Sequence, residues 1–407
     1  MSLLSEFLAI TQHWRGVFPQ QRTFQRAVRQ ALGSLVCLGR RCLSRIIGTN
    51  GGQNRSWGAE YFLHSRCEWQ PQELFRPILQ RALAYCPGRL VAIAVDDTRL
   101  PKTGRCIPQA FYQRDPLSPP FHVNLLLGLR FWQASLLVPT YRLAPVSRRG
   151  LPIRFEEVSR VKKPSRKAKP EAWQEYKEAI QPHHLSQSLV RTMGQLRLEL
   201  DLAGGEKKLL VLAGDGSFCH RTGFRAPRDR TELISRTRKD AVLCRRAAEG
   251  SRRFYGAEKF PPDRVRQDES LPWSQTKVFY GGKWRKVRYQ EVSVVYWQGG
   301  AGRCPLRLLV VAPTPYRKRR SSKLYYRQPA YLLTTDLKDS VKQLLQIYFD
   351  RWQIEVNPRD EKDTLGVGQA QLWNVRSVPK QPVLAVAAYS AMLLASLIAF
   401  GAQRGAA

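Results

Sequence analysis

The residues best suited to chemistry lie in one run, Tyr348–Lys362, YFDRWQIEVNPRDEK. Wound as an α-helix from Tyr348, this run puts Arg351 at about 300°, Glu355 at about 340° and Lys362 at about 320°. The four side chains then share a stripe about 60° wide, while Trp352 and Ile354 lie elsewhere, where a core can take them. One carboxylate beside two cations and a phenol can hold a metal ion and the phosphates around it. A merely solvated helix face would more often alternate its charges at i, i+4.

Two more carboxylates follow apolar runs. Leu90–Val95 (LVAIAV) reads as a strand buried on both faces and leads into Asp96, Asp97 and Thr98. Leu209–Ala213 (LLVLA) does the same and leads into Gly214-Asp215-Gly216. Open α/β sheets place their chemistry at such strand ends. Alternation sends Asp96 and Asp97 to opposite faces, so the strand alone leaves the first acid open. Asp96 or Asp97, Asp215 and Glu355 together make an all-oxygen set suited to Mg²⁺, which keeps waters and phosphate oxygens in its shell. Two such ions about 3.5–4 Å apart serve in-line phosphoryl displacement, activating the attacking water or 3′-hydroxyl and stabilising the leaving oxygen. No histidine is needed as a base.

The whole chain suits a polyanionic partner. It has 407 residues, enough for two or three domains, with 67 Lys or Arg against 32 Asp or Glu and a net charge of +35. The excess is spread along the sequence, which points to DNA or RNA. No lipidation motif or basic amphipathic helix suggests a membrane surface. The eight cysteines form no CxxC pair, which argues against structural zinc and for reduced thiols in a cytoplasm, and Met1–Phe18 lacks a signal-peptide pattern. Val383–Phe400 is uncharged and long enough to span a bilayer, but it is Ala-rich and interrupted by Tyr389-Ser390, so it reads as a buried helix.

The positioning elements can be read in order. Residues 1–88 read as helical, with helices at Phe24–Leu38 and Glu73–Tyr85 and a break at Gly48–Gly52; a small DNA-binding domain and a helical cap fit equally. Beyond the first buried strand, strands are expected at Phe121–Phe131 and Leu136–Leu143, then a basic loop at Arg160–Lys169 and a helix from about Pro182 to Leu200. From Arg221 to Arg327 there are 27 Lys or Arg against 9 Asp or Glu, with alternating segments and Gly-Gly turns. This reads as a basic β-rich subdomain carrying Trp273, Trp284 and Trp297, which either stack on bases or pack its own core. The run Arg317, Lys318, Arg319 and Arg320 would attract phosphates. Ala330–Thr334 reads as a strand, and Asp336 as a cap for the helix that follows.

The spacing Tyr348-x2-Arg351-x3-Glu355-x6-Lys362, with Asp-Asp-Thr and Asp-Gly-Ser upstream, resembles the YREK signature of bacterial insertion-sequence DDE transposases of the cut-and-paste type. Leu332–Leu337 and Gly366–Gln371 (GVGQAQ) are similar too, and the resemblance covers roughly Leu90 to Phe400. It implies an α/β fold with a ribonuclease-H-like core at 89–220 and 329–407, interrupted by a β-rich insertion at 221–328 and preceded by the helical domain at 1–88. It implies cleavage of transposon ends and joining of their 3′-hydroxyls to target DNA, in a synaptic homodimer on double-stranded DNA, with two Mg²⁺ ions per site and Mn²⁺ able to substitute. Its Asp-before-Thr pattern selects Asp97, so that Asp97, Asp215 and Glu355 bind metal while Tyr348, Arg351 and Lys362 contact phosphates. Trp297 becomes the candidate to stabilise a flipped base. An inactive DNA-binding descendant and a nuclease without strand transfer are the alternatives. The family usually carries an aromatic residue or His where this chain has Pro358. A mid-helix proline costs about 3 kcal/mol and kinks the axis, so the stripe should hold from Tyr348 to Glu355 and change towards Lys362.

Overall fold

The computed structural model describes residues 2–119, 121–140, 148–317, 319 and 321–401. Five helices come first: α1 (Leu3–Thr11), α2 (Gln21–Val36), α3 (Leu43–Thr49), α4 (Trp57–Ser65) and α5 (Arg76–Ala82), with 3₁₀ turns flanking α5 at Pro71–Phe75 and Leu83–Tyr85. Phe7, Ile10, Trp14 and Phe24 from these helices share one apolar core with Val91, Ile93 and Val95 of the sheet and with Val383 and Val386 near the C-terminus. The N-terminal helices are therefore a layer on the sheet rather than a unit with a core of its own.

The strands begin with β1 (Leu90–Pro101), β2 (Phe111–Arg114), β3 (Leu125–Pro139) and β4 (Arg148–Glu157). The two strands expected at Phe121–Phe131 and Leu136–Leu143 are one strand, β3; Phe121–Asn124 precede it, and residues 141–143 lie outside the described residues. Helices α6 (Pro170–Ile180) and α7 (Leu185–Leu202) lead to β5 (Leu209–Gly214), and α8 (Arg221–Arg225) leads to β6 (Thr231–Thr237). The order β4-β3-β1-β5-β6, antiparallel from β4 to β1 and parallel from β1 to β6, is a mixed sheet that fits a ribonuclease-H-like fold.

The basic segment adds β7 (Leu243–Arg246), β8 (Tyr255–Phe260), α9 (Pro262–Gln267), β9 (Ser274–Tyr280), β10 (Lys283–Tyr296) and β11 (Pro305–Val311). A small ribbon of β12 (Pro315–Tyr316) and β13 (Tyr325–Tyr326) precedes β14 (Ala330–Thr334). β14 pairs with β6 on one edge and β11 on the other, and β11 pairs with β10, so these strands prolong the central sheet to twelve. The first strand of the expected insertion, β6, thus lies within the central sheet.

Three helices complete the chain: α10 (Val341–Asp350), α11 (Gln353–Arg359), which continues through a π turn at Asp360–Thr364, and α12 (Gln381–Phe400). Ser340, not Asp336, caps α10, in a reciprocal capping box with Gln343. Asp336 instead accepts from the Lys338 and Asp339 N–H groups in the turn before it. α12 is long and apolar enough to cross a membrane, and here it is packed into the shared core, with the Ser390 hydroxyl donating to the Pro152 carbonyl.

Candidate active site

The parallel pairing of β1 with β5 sets the first two acids. Ala92 pairs with Val211 and Ala94 with Ala213. Two residues further along each chain stand Asp96 and Asp215, which therefore occupy matching positions on neighbouring strands, on the face of Ala92, Ala94 and Ala213. That face packs against Leu344, Ile347 and Ile354 of α10 and α11. The small alanines let the helices approach, and so bring Arg351 near Asp96 and Tyr348 near Asp215.

Asp97, which the Asp-Thr pattern selects, is placed on the opposite face. Its Oδ2 accepts from Arg130 Nε at 2.7 Å and lies 3.8 Å from Arg99 Nη1. Asp96 makes no ion pair among the described residues; its Oδ1 accepts only the Asp97 N–H, at 2.8 Å. Burial, and next the facing Asp215 carboxylate, push the Asp96 carboxyl up to about 7. Asp215 Oδ1 accepts from the Ser217 N–H (2.8 Å) and hydroxyl (2.6 Å), which orients it as the cap of the 3₁₀ turn Gly216–Phe218. Two carboxylates, repelling one another and without an ion pair among the described residues, make a place where positive charge is stabilised.

The helix supplies the rest. Glu355 Oε1 accepts from Arg351 Nη2 at 3.0 Å, and the Glu355 side chain is 36% exposed. Among the described residues no three His, Cys, Asp or Glu side chains converge as a ready metal cage. Bringing Glu355 to the strand acids breaks its i,i+4 pair with Arg351, whose side chain is 12% exposed. Among the described residues Arg351 Nε and Nη1 are buried and without a partner, so they are donors available beside Asp96. Its guanidinium lies 5.8 Å from the Tyr348 ring. Burial raises the Tyr348 hydroxyl above its usual range, and Arg351, Arg236, Asp215 and Glu355 are all close enough to act on it.

Pro358 lies inside α11, and the helix continues past it. The π turn that follows closes with the Leu365 N–H on the Asp360 carbonyl, a local change of winding found often at functional sites. Lys362 sits in this turn, half-buried; burial pulls its ammonium below the usual value, and Asp96 is near enough to oppose that. Lys362 therefore lies within electrostatic range of Asp96. The helix is seated by Asn357, which donates to the Gly150 carbonyl of β4 at 2.9 Å. A Cβ at Gly150 would meet Asn357 Oδ1 at 2.5 Å and the Gln353 carbonyl at 3.2 Å, so glycine is needed for this approach.

Next to Lys362, Glu361 is fully enclosed, accepts from Gln133 Nε2 at 2.7 Å, and is pushed up to about 8 by burial. Its carboxyl is neutral at pH 7. The stability it contributes is complete below its unfolded value of 4.5 and is lost as pH rises through about 8. Glu361→Gln keeps a neutral group of the same shape, so its urea midpoint should gain on wild type steadily from about pH 5 to about pH 8.

A cleft of about 1070 Å³ opens beside Gly216, next to Asp215, and is lined by Arg236, Arg238, Lys239, Arg266 and Trp297 among others. Trp297 is half-buried, edge-on to Phe224 at 6.1 Å, with its ring where a Cβ on Gly300 would be. Trp284 is exposed, and Trp273 lies under Arg288. Arg317 and Arg319 are exposed on the loop between β12 and β13, whereas Lys318 and Arg320 lie outside the described residues. Sequence reasoning missed Arg236, whose position on β6 next to the Asp215 turn follows only from the pairing of β5 with β6.

A family model described as DDE superfamily endonuclease matches residues 16–303, and no curated protein matches the chain. The matched span includes Asp96, Asp97 and Asp215 and ends before Glu355, so the helix acid stands on the geometry and the spacing around it. With well over half of its residues matched, and an acid pair at the ends of adjacent parallel strands, the chain belongs to the DDE superfamily of endonucleases.

Proposed function

We propose that this endonuclease is a DNA transposase of the insertion-sequence type, which cleaves element ends and joins their 3′-hydroxyls to target DNA. The observation that carries it is the matched placement of Asp96 and Asp215 under the helix bearing Tyr348, Arg351, Glu355 and Lys362. DDE endonucleases typically use divalent metals, and the all-carboxylate donors fit a hard divalent cation. Asp96, Asp215 and Glu355 would hold two Mg²⁺ ions, or Mn²⁺ in their place. When bound, the metal supplies charge stabilisation at the phosphoryl oxygens and an activated water or 3′-hydroxyl.

The chain's own residues bind and orient. Arg351, with two free buried donors, and Lys362 would grip the phosphates flanking the scissile bond. Tyr348 would hold a third contact on the same side. The basic strands β7–β13 and the cleft beside Asp215 would carry the duplex, with Trp297 at the position for an unstacked base. Joining two ends calls for a homodimer around two DNA ends, in the bacterial cytoplasm where the nucleoid lies.

The test uses the DNA that flanks the gene, on a supercoiled plasmid with Mg²⁺ or Mn²⁺, with products resolved on denaturing gels. Joined molecules are expected. Nicks without joining would leave a nuclease, and binding without cleavage an inactive descendant. Binding should weaken by about 10³–10⁵ between about 50 and 200 mM salt, as six to ten phosphate contacts require. A flat salt response would remove the role given to the basic strands.

A further inference from the structure

One apolar feature stands apart from this site. β2 and β3 form a hairpin whose connection, residues 115–124, presents Leu117 and Phe121 at 89% and 90% exposure. Tyr112, Val123 and Leu125 add to the same exposed surface. The connection is built by its own hydrogen bonds. Asp115 accepts the Leu117 N–H on its carboxylate and the Ser118 N–H on its carbonyl, and the Asp115 N–H reaches the Asn124 carbonyl. Leu117 lies on the turn that Asp115 closes, and Phe121 on the return towards Asn124, both exposed.

A basic loop leaves the sheet at the same place. β4 pairs with β3 along Phe131–Pro139 and β2 takes over the same edge along Leu125–Gly128. Where β4 ends, the loop 158–169 begins, and the Arg160 N–H donates to Gln109 while its guanidinium lies 5.3 Å over Phe111. Arg160, Lys162, Lys163, Arg166, Lys167 and Lys169 are all exposed, the loop has no acid, and none of the six makes an ion pair among the described residues.

We propose that this hairpin is a wedge for duplex DNA: Leu117 and Phe121 enter a base step while the 158–169 loop holds the phosphates beside it. Apolar wedges between base steps kink the duplex, and adjacent cations hold the bent backbone. A second copy of the chain is a poorer occupant, because a two-fold contact would set one six-cation loop against another. The place in the fold also fits. Asp96 is level with Gln133 on β3, and the strand continues eight residues to Leu125, roughly 26 Å, beyond the carboxyl ends of the parallel strands. A duplex entering the acid pair would meet the base of this connection about eight base pairs away, at 3.4 Å per step. Pyrimidine–purine steps, which unstack most easily, should be favoured there.

The proposal rests on the DNA-processing reading, and its test separates the two. Full-length protein in EDTA is titrated onto a duplex carrying a donor and acceptor dye at its ends, with Leu117→Ser/Phe121→Ser and Lys162→Ala/Lys163→Ala/Arg166→Ala/Lys167→Ala beside wild type. Wild type is expected to bring the dyes together. The apolar double variant should lose that bend and bind about tenfold more weakly, the scale of one lost stacking contact. The basic variant should lower the salt slope by about three to four. Unchanged bending and affinity in the apolar variant would overturn the wedge. So would sedimentation showing that wild type self-associates through these residues and the variant does not. Bending with no cleavage in Mg²⁺ would sink the transposase reading and leave the wedge standing.

Discussion

Asp96→Asn is expected to lower metal-dependent cleavage by at least about 10²–10³, the cost of removing one preorganised electrostatic group at a reacting centre. Asp97→Asn should stay within a few-fold of wild type. The asymmetry follows from the register: Asp96 shares a face with Asp215 and the catalytic helix, while Asp97 is neutralised by Arg130 on the other. Loss of a partly exposed pair such as Asp97–Arg130 costs about 0.2–1 kcal/mol, which a folded enzyme tolerates. Asp96→Asn should not lose stability, because it removes a buried carboxyl that Asp215 already repels. Unfolding midpoints therefore accompany the cleavage assay. An inactive, well-folded Asp97→Asn beside an active Asp96→Asn would overturn the assignment.

Arg197→Met should have the largest effect on stability, about 2–3 kcal/mol, the scale of the hydrogen bonds lost with one buried charged donor. The Arg197 side chain is 7% exposed. Its guanidinium donates to the Lys208 carbonyl just before β5, the Arg230 carbonyl just before β6, the Gly205 carbonyl at 2.9 Å, and the Asp201 carboxylate. One side chain therefore ties α7 to the entry of both parallel strands; methionine would strip this donor from all four acceptors, although the Arg230 and Gly205 carbonyls keep the Leu210 and Lys208 N–H groups and Asp201 keeps Arg230. Asp215 is at the far end of β5, so protein that does fold should cleave at the wild-type rate per active molecule. A urea midpoint unchanged within error would refute this role.

The apolar runs Leu90–Val95 and Leu209–Ala213 were legible because strands buried on both faces need no alternation to show themselves. The choice between Asp96 and Asp97 was not, because it depends on which face α10 and α11 cover. The alanines at 92, 94 and 213 carried that signal: small residues at every second position mark the side a helix approaches. β4 was hidden by its own composition. RRGLPIRFEE holds Pro152 and five charges, and proline argues against an interior strand. In the fold, the pairing of β4 with β3 shifts at Ala134/Ser135, so Pro152 is accommodated at a bulge. α6 carries Trp173, Tyr176 and Ile180 at helical spacing, yet none of its residues is buried in the fold. Trp297 and the Arg317–Arg320 run were visible as residue types, but their distance from the acids depends on pairings that no local pattern encodes.

The shared core of α1 with α12 has a consequence for the order of synthesis. Phe7, Ile10 and Trp14 leave the ribosome well before the α12 residues that enclose them, Val383 to Ala395. At about 5–20 residues per second the early helices wait tens of seconds for their partner. Until then their apolar faces are open to chaperones or to other nascent chains. A message broken before α12 would release a chain with its acids and basic strands made but its first layer unsealed. Such products would be cleared or would aggregate, so α12 acts as a check on whether the first layer is sealed.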